Sequence, residues 1–345
     1  DGGFDLWSEA YERSEANFLS VESDLLTAIV AALRLRAPGG QKLPPAAEFR
    51  TSPAAHATYL RGRLALERSL PGSSESVLAG LEQAIALDSS YAPAWAGVAE
   101  VHMGSFLSES APAEDVVPFA REAAERAVGL DSTLAPARIA RAVIWLLYDR
   151  EPGKAAEELR RAIALNPNLP EGFHWEAHRL LADGQQDNAL AAAQRAVETS
   201  PLDGALRAHL GWQYLLTRND SLAAVAFARA VSLDSSRVAL DEHMAGRTTA
   251  PADSGRTYDS LVVAAKERYV SPYALAVAAV AAGQPDEATA ALARAIAERT
   301  PWAIYARLDP RLDPLRGTRR FESLLAGLPQ TTIPTRPRPS GPQSS

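Results

Sequence analysis

The chain of 345 residues contains no cysteine, which removes disulfides, thiolate nucleophiles and cysteine-based zinc sites together. Only three of its 35 basic residues are lysines (Lys42, Lys154 and Lys266), and the acidic excess gives a formal net charge of −7. With no basic run either, a nucleic-acid surface is not expected in this region. Aromatic residues amount to only 7%. No apolar run approaches the roughly 18 residues that a membrane helix needs, so no membrane span is expected in this chain. The sequence opens at Asp1 with neither a methionine nor a signal-peptide pattern, which reads as a cut N-terminus.

Catalytic signatures are missing as well. There is no G-x-G-x-x-G, G-x-S-x-G or H-E-x-x-H, and the Gly153-Lys154 pair lacks both the earlier glycine and the following Ser or Thr of a phosphate-binding loop. His174 and His178 share a helix face at i, i+4, with Glu171 one turn earlier, but two imidazoles and one carboxylate fall short of a normal zinc ligand set, so no metal site is expected. The carboxylates have arginines three or four residues away, as in Glu157, Glu158 and Arg161, which reads as solvated helix face. No catalytic residue and no cofactor is expected, and the chain reads as a binding module rather than an enzyme.

What is present is alanine at a fixed interval. Hydrophobic residues make up 47% of the chain, weighted toward alanine, which favours helix and lets helices approach closely. Ala162, Ala196 and Ala230 lie 34 residues apart, each near the end of a helix-like run. Ala84 and Ala127 extend the series backward with spacings of 43 and 35, and Ala295 extends it forward. The extra residues of the early unit fit Gly104 to Glu114, where they are expected to lengthen the turn between its two helices. Short polar joints recur after these alanines as D-S-S-Y, D-S-T-L and D-S-S-R, while N-P-N-L and S-P-L-D introduce prolines that cannot continue a helix.

A 34-residue period of helix pairs resembles the tetratricopeptide repeat, whose units bury their apolar faces only against one another. Trp95, Leu210, Gly211, Tyr214, Ala223, Phe227 and Ala230 stand where that family carries its large and small signature residues. The expected fold is an all-α, right-handed superhelical solenoid over residues 54–300. Ala84, Ala127, Ala162, Ala196, Ala230 and Ala295 are its close-contact positions, and Trp95, Trp145, Phe173, Tyr214 and Phe227 its packing residues. The resemblance also implies a concave groove lined by the first helix of each pair. In this numbering the groove positions are Tyr59, Arg63, Ala96, Glu100, Ile139, Val143, His174, His178, Ala208 and Trp212. An apolar peptide or partner domain is the expected occupant, or alternatively the chain's own N-terminal helix with its stripe from Leu25 to Leu33.

The two ends carry a second resemblance. L-W-S-E-A-Y-E-R followed by F-L-S-V-E-S-D-L-L-T-A-I-V-A-A-L-R-L resembles the closing strand and helix of the TolB-like α/β domain that precedes such arrays in bacterial signalling proteins. Residues 302–328 resemble the usual ending of the same proteins. The implied organisation is a TolB-like remnant at 1–36, a Pro- and Gly-rich linker at 37–53, the array at 54–300, a capping segment at 301–328 and a disordered tail at 329–345. Phe321, Leu324, Leu325 and Leu328 form the cap's apolar stripe, and the Asp-Pro steps before it suit helix starts. The resemblance implies a protein-binding scaffold in signal transduction. It equally allows the non-catalytic part of a kinase, a nucleotide cyclase or a winged-helix regulator, and either a cytoplasmic or a periplasmic location.

Overall fold

The computed structural model describes residues 51–67, 74–234 and 251–328. The expected strand and helix of residues 1–36, the Leu25 to Leu33 stripe and the tail at 329–345 lie outside the described residues. Among the described residues every regular element is a helix and no strand occurs. The chain divides into two compact units, residues 1–101 and 102–345, with the boundary inside one helix.

In the first unit α1 (Pro53–Glu67) and α2 (Ser74–Leu87) form an antiparallel pair, followed by the start of α3 (Ala92–Leu107). Leu81 of α2 is fully buried, and a Cβ placed on Gly97 of α3 would come within 3.0 Å of its side chain. Glycine is therefore what allows α3 to sit this close.

In the second unit the pairs continue. They are α4 (Ala113–Leu130), then α5 (Ala135–Val143) with α6 (Pro152–Leu165), α7 (Pro170–Ala182) with α8 (Gln186–Thr199), and α9 (Gly204–Leu216) with α10 (Asp220–Leu233). After the residues left undescribed come α11 (Pro251–Ala264), α12 (Pro272–Ala281) and α13 (Pro285–Ala297), two 3₁₀ turns (Pro301–Tyr305 and Pro310–Leu315) and α14 (Arg319–Leu325). One continuous apolar core runs through this unit, from Met103 to Leu328.

The repeat is visible in its joints. The backbone N–H groups of Asp88, Asp131, Asn166, Ser200 and Asp234 donate to the carbonyls of Ala84, Ala127, Ala162, Ala196 and Ala230 at 2.9–3.2 Å. These alanines are all buried, as is Ala295. The polar residue that ends each run then folds the chain into the next helix. Asp88 accepts from the Ser90 N–H (2.9 Å), Asp131 from Thr133 (2.8 Å) and Asn166 from Asn168 (3.1 Å), side-chain turns that replace helix bonds with local ones. Because Ala196 is buried, Ala196→Phe is expected to destabilise by about 1–3 kcal/mol in chemical denaturation; an unchanged midpoint would rule out this close contact.

Two departures from the 34-residue spacing are resolved locally. The early surplus does not simply lengthen a turn, because α3 continues through Gly104 to Leu107 and α4 extends to 18 residues against 14 for α6, α8 and α10. Continuing a helix keeps backbone hydrogen bonds satisfied, which a longer irregular loop over apolar neighbours would not. The single extra residue between Ala127 and Ala162 is taken up where α5 passes into a π-helical turn, Ile144–Tyr148. A π turn is how a helix accepts one additional residue without breaking.

Several helix ends share another device. Gly184 (φ 76°), Gly283 (φ 73°), Arg218 (φ 65°), Arg299 (φ 54°) and Glu109 (φ 52°) occupy the left-handed region just beyond a helix end. Paired bonds such as Gln185 N–H to Leu180 O (2.9 Å) with Gly184 N–H to Leu181 O (3.0 Å) satisfy the last carbonyls. Holding a non-glycine residue there costs about 1–2 kcal/mol, so the arginines call for an explanation, which lies across the unit.

Candidate functional site

The site is built where first-helix residues of the second unit meet the segment that follows α13. Ile139 and Val143 of α5, His174 and His178 of α7, and Ala208 and Trp212 of α9 are all buried, Trp212 and His178 completely. They do not line an open groove. The 3₁₀ turn Pro301–Tyr305 is itself wholly buried, with Trp302 and Tyr305 set against the rings of α7 and α9. Trp212 meets Trp302 edge-on at 5.2 Å between centroids and Tyr305 at 5.1 Å, and His178 lies 5.8 Å from each of the same two rings. Trp302 Nε1 donates to the Leu107 carbonyl (3.1 Å), and the Tyr305 hydroxyl donates to the His178 carbonyl (2.9 Å). The expectation of an externally filled groove is corrected at His178 and Trp212, which Trp302 and Tyr305 of this turn cover. Their burial is a hydrophobic gain that no solvated ligand needs to supply.

The left-handed arginines hold this segment in place. Arg150, also left-handed (φ 60°), donates from Nη2 to the Ile296 carbonyl (2.7 Å), while Arg299 donates to the Tyr148 carbonyl (3.2 Å) and lies 5.2 Å over the Tyr148 ring. Arg218 forms a fork on Asp313, with Nη1 to Oδ2 at 2.5 Å and Nη2 to Oδ1 at 2.8 Å. A glycine would relax each turn but lose its clasp. The second Asp-Pro step was expected to cap a helix; Asp313 instead serves as the carboxylate of this ion pair. The first step does cap its turn, since Asp309 accepts from the Arg311 N–H (2.9 Å). Phe321 and Leu325 of α14, and Leu328 just beyond it, are buried.

Asp309 has no exposed surface and accepts from the Tyr273 hydroxyl (2.8 Å) and from Arg311 Nη2 (2.7 Å). Burial alone would raise its pKa, but the Arg311 charge and the hydrogen bonds from Arg311 and Tyr273 hold it below the usual carboxylate range. Half-buried Glu109 is different: loss of hydration raises its pKa from 4.5 to about 7, against the opposing pull of a Ser271 hydrogen bond and the Arg311 charge. Between these two values the folded chain keeps a proton that the unfolded chain has released, so stability falls as pH rises from 4.5 to about 7. Glu109→Gln is expected to flatten that part of the stability profile by about 1–3 kcal/mol, with Arg311, Tyr269 and Tyr273 as the neighbouring charged and titratable groups. Denaturation series at several pH values check it, and an unchanged slope would exclude Glu109 as its source.

The histidines form the most unusual chemistry here. His174 lies 4.7 Å from His178 and 4.5 Å from His209 between ring centroids, and the nitrogen atoms of the three lie within 4.8 Å of one another. Burial, then the neighbouring imidazoles, lower the pKa values of His174 and His178 well below the ordinary histidine value, so both are neutral. Glu171 is not part of this cluster; the third histidine is His209, on α9. The spacing that could have revealed it is 35 residues from His174, one repeat plus one.

The remaining predicted positions belong to the first unit. Tyr59 is half-buried, edge-on to Tyr91 at 5.3 Å, Ala96 is buried, and Arg63 pairs with exposed Glu100. Among the packing residues, Gly211 of the second unit faces Phe227 so closely that a Cβ would sit 3.0 Å from its ring, and Gln194 Nε2 donates to the Tyr214 hydroxyl (2.9 Å). Trp95 is half-buried and donates to the Ser89 carbonyl (3.0 Å). Glu158 departs from the solvated face expected of it: it is buried and paired with Arg138 (2.9 Å) and Arg141 (2.8 Å), whereas Glu157 is half-buried and pairs with Arg160 and Arg161. No helix among the described residues is long and apolar enough to cross a membrane.

No protein-family model and no curated protein matches the chain. Among solved structures it is similar to YrrB, a TPR protein with an unusual peptide-binding site, at 21% identity and TM-score 0.33 over 52% of this chain and 87% of that one. It is also similar to TTC0263, a thermophilic TPR protein of Thermus thermophilus, at 21% identity and TM-score 0.40 over 59% of this chain and all of that one. A third likeness is to the type IV pilus biogenesis factor PilW, at 13% identity and TM-score 0.42 over 79% and 98%.

Proposed function

We propose that this chain is a polypeptide-docking scaffold, without catalysis of its own, that forms the docking or sensory half of a bacterial signalling protein. The observation that carries the reading is the 3₁₀ turn Pro301–Tyr305, which the second unit already holds through aromatic rings and two side-chain bonds to backbone carbonyls. A face that holds one short segment of chain in this way has the chemistry to recognise polypeptide. Because that portion is filled, the partner is assigned to the first unit, at Tyr59, Arg63, Ala96 and Glu100. An apolar anchor flanked by opposite charges fits this set. The TolB-like resemblance of residues 1–36 and 302–328 supports the signalling context, with a kinase, a nucleotide cyclase or a winged-helix domain as the effector in the parent protein.

Panning a random-peptide display library on the full chain tests this. Selected peptides are expected to bind with micromolar affinity and to lose about tenfold on Tyr59→Ala, in the range of an aromatic hot spot. Trp302→Ala should leave them unaffected. Peptides indifferent to Tyr59→Ala combined with Arg63→Glu would overturn the assignment to the first unit, and a library yielding no binder would overturn the docking reading itself.

A further inference from the structure

We infer that His174, His178 and His209 form a binding site for an imidazole-seeking divalent transition-metal ion such as zinc, which ties α7 to α9. Three observations carry this, and none depends on the docking reading. First, the three side chains come from consecutive repeats and converge with their nitrogens within 4.8 Å of one another. Nitrogens of a tetrahedral zinc site are ~3.3 Å apart, so loading requires a contraction of at most about 1.5 Å, within reach of side-chain rotation. Second, His178 is completely buried, and neither Nδ1 nor Nε2 has a hydrogen-bond partner among the described residues. A buried imidazole with two unsatisfied nitrogens is costly, and coordination satisfies one of them directly. Third, the donor set is three imidazoles, the protein share of an open zinc site, with one position left for water.

The surroundings suit an ion that cross-links two helices. Trp175, Trp212, Trp302 and Tyr305 wall His178 at centroid distances of 5.0–5.8 Å. This shell excludes bulk solvent and fixes the ring. Because two ligands stand on α7 and one on α9, the ion spans two repeats, and the Tyr305 hydroxyl on the His178 carbonyl links the C-terminal segment to the same helix. Metal loading therefore stabilises both the repeat stack and the self-bound segment.

The test uses the untagged full chain, stripped with chelator and titrated calorimetrically with Zn²⁺. One ion per chain with a Kd in the micromolar range or tighter is expected, together with a rise in Tm as zinc is added. Co²⁺ should give the visible absorption of a nitrogen-ligated, low-coordinate ion. His209→Gln and His174→Gln should each weaken binding at least tenfold and abolish the cobalt spectrum, whereas His102→Gln, outside the cluster, should change neither. His178→Ala removes a buried ring and is expected to lower stability, so the decisive comparison is the half-buried His209. Absence of saturable binding in the full chain would overturn the inference, as would undiminished binding in a His174→Gln, His209→Gln double variant that keeps its helical circular dichroism.

Discussion

Trp212→Ala is expected to destabilise the second unit by about 3–5 kcal/mol, the range for deleting a fully buried large aromatic side chain. Trp212 has no exposed surface and touches the segment at two rings, so its loss opens a cavity between α9 and the Pro301–Tyr305 turn rather than exposing a patch to water. The turn's hold depends on the same contacts. Limited trypsin digestion should therefore show Arg307 and Arg311 becoming cleavable well below the global unfolding midpoint. Trp95→Ala provides the contrast, because Trp95 is only half-buried and donates to a single turn carbonyl, and an effect about half as large is expected. Equal effects from the two tryptophans, or an intact tryptic pattern in Trp212→Ala, would show that residues 301–315 are held by their arginine clasps alone.

Glu158→Ala is expected to be nearly as severe, at about 3–5 kcal/mol, although no apolar contact is its principal loss. Glu158 is the shared acceptor of Arg138 and Arg141, with side chains 4%, 10% and 20% exposed. Removing the acceptor strands two guanidinium groups, one of them buried, whereas removing Arg141 leaves the carboxylate still paired to Arg138 at 2.9 Å. Arg141→Ala should thus cost far less, about 1 kcal/mol. Arg138 keeps a second bond, from Nε to the Ser132 carbonyl (2.8 Å), which fixes the guanidinium in place and prevents it from swinging out to water. Urea denaturation of the three variants checks the order, and a Glu158→Ala midpoint equal to that of Arg141→Ala would contradict the shared-acceptor account.

The sequence by itself determined the repeating framework. Alanine at 34-residue intervals, polar joints after each alanine and glycine at Gly184 and Gly283 specify helix pairs, because helix propensity, caps and turn chemistry act over a few residues and need no distant partner. Six of the expected groove positions were also legible as a common set in the second unit, since positions one repeat apart on first helices must share a face. What fills that face was not legible. The bond between Trp302 and Leu107 spans 195 residues, that between Arg150 and Ile296 spans 146, and no local pattern encodes either. The same holds for Glu158, whose spacing to Arg161 matches an exposed helix pair while its burial comes from α5 lying across it, and for His209, which joins His174 and His178 only once α9 packs against α7. Local chemistry made the repeats; the closure of the C-terminal segment onto them, and with it the meeting of three histidines and two tryptophans, was decided by tertiary packing, where apolar burial rewards whichever surfaces the stacked pairs bring together.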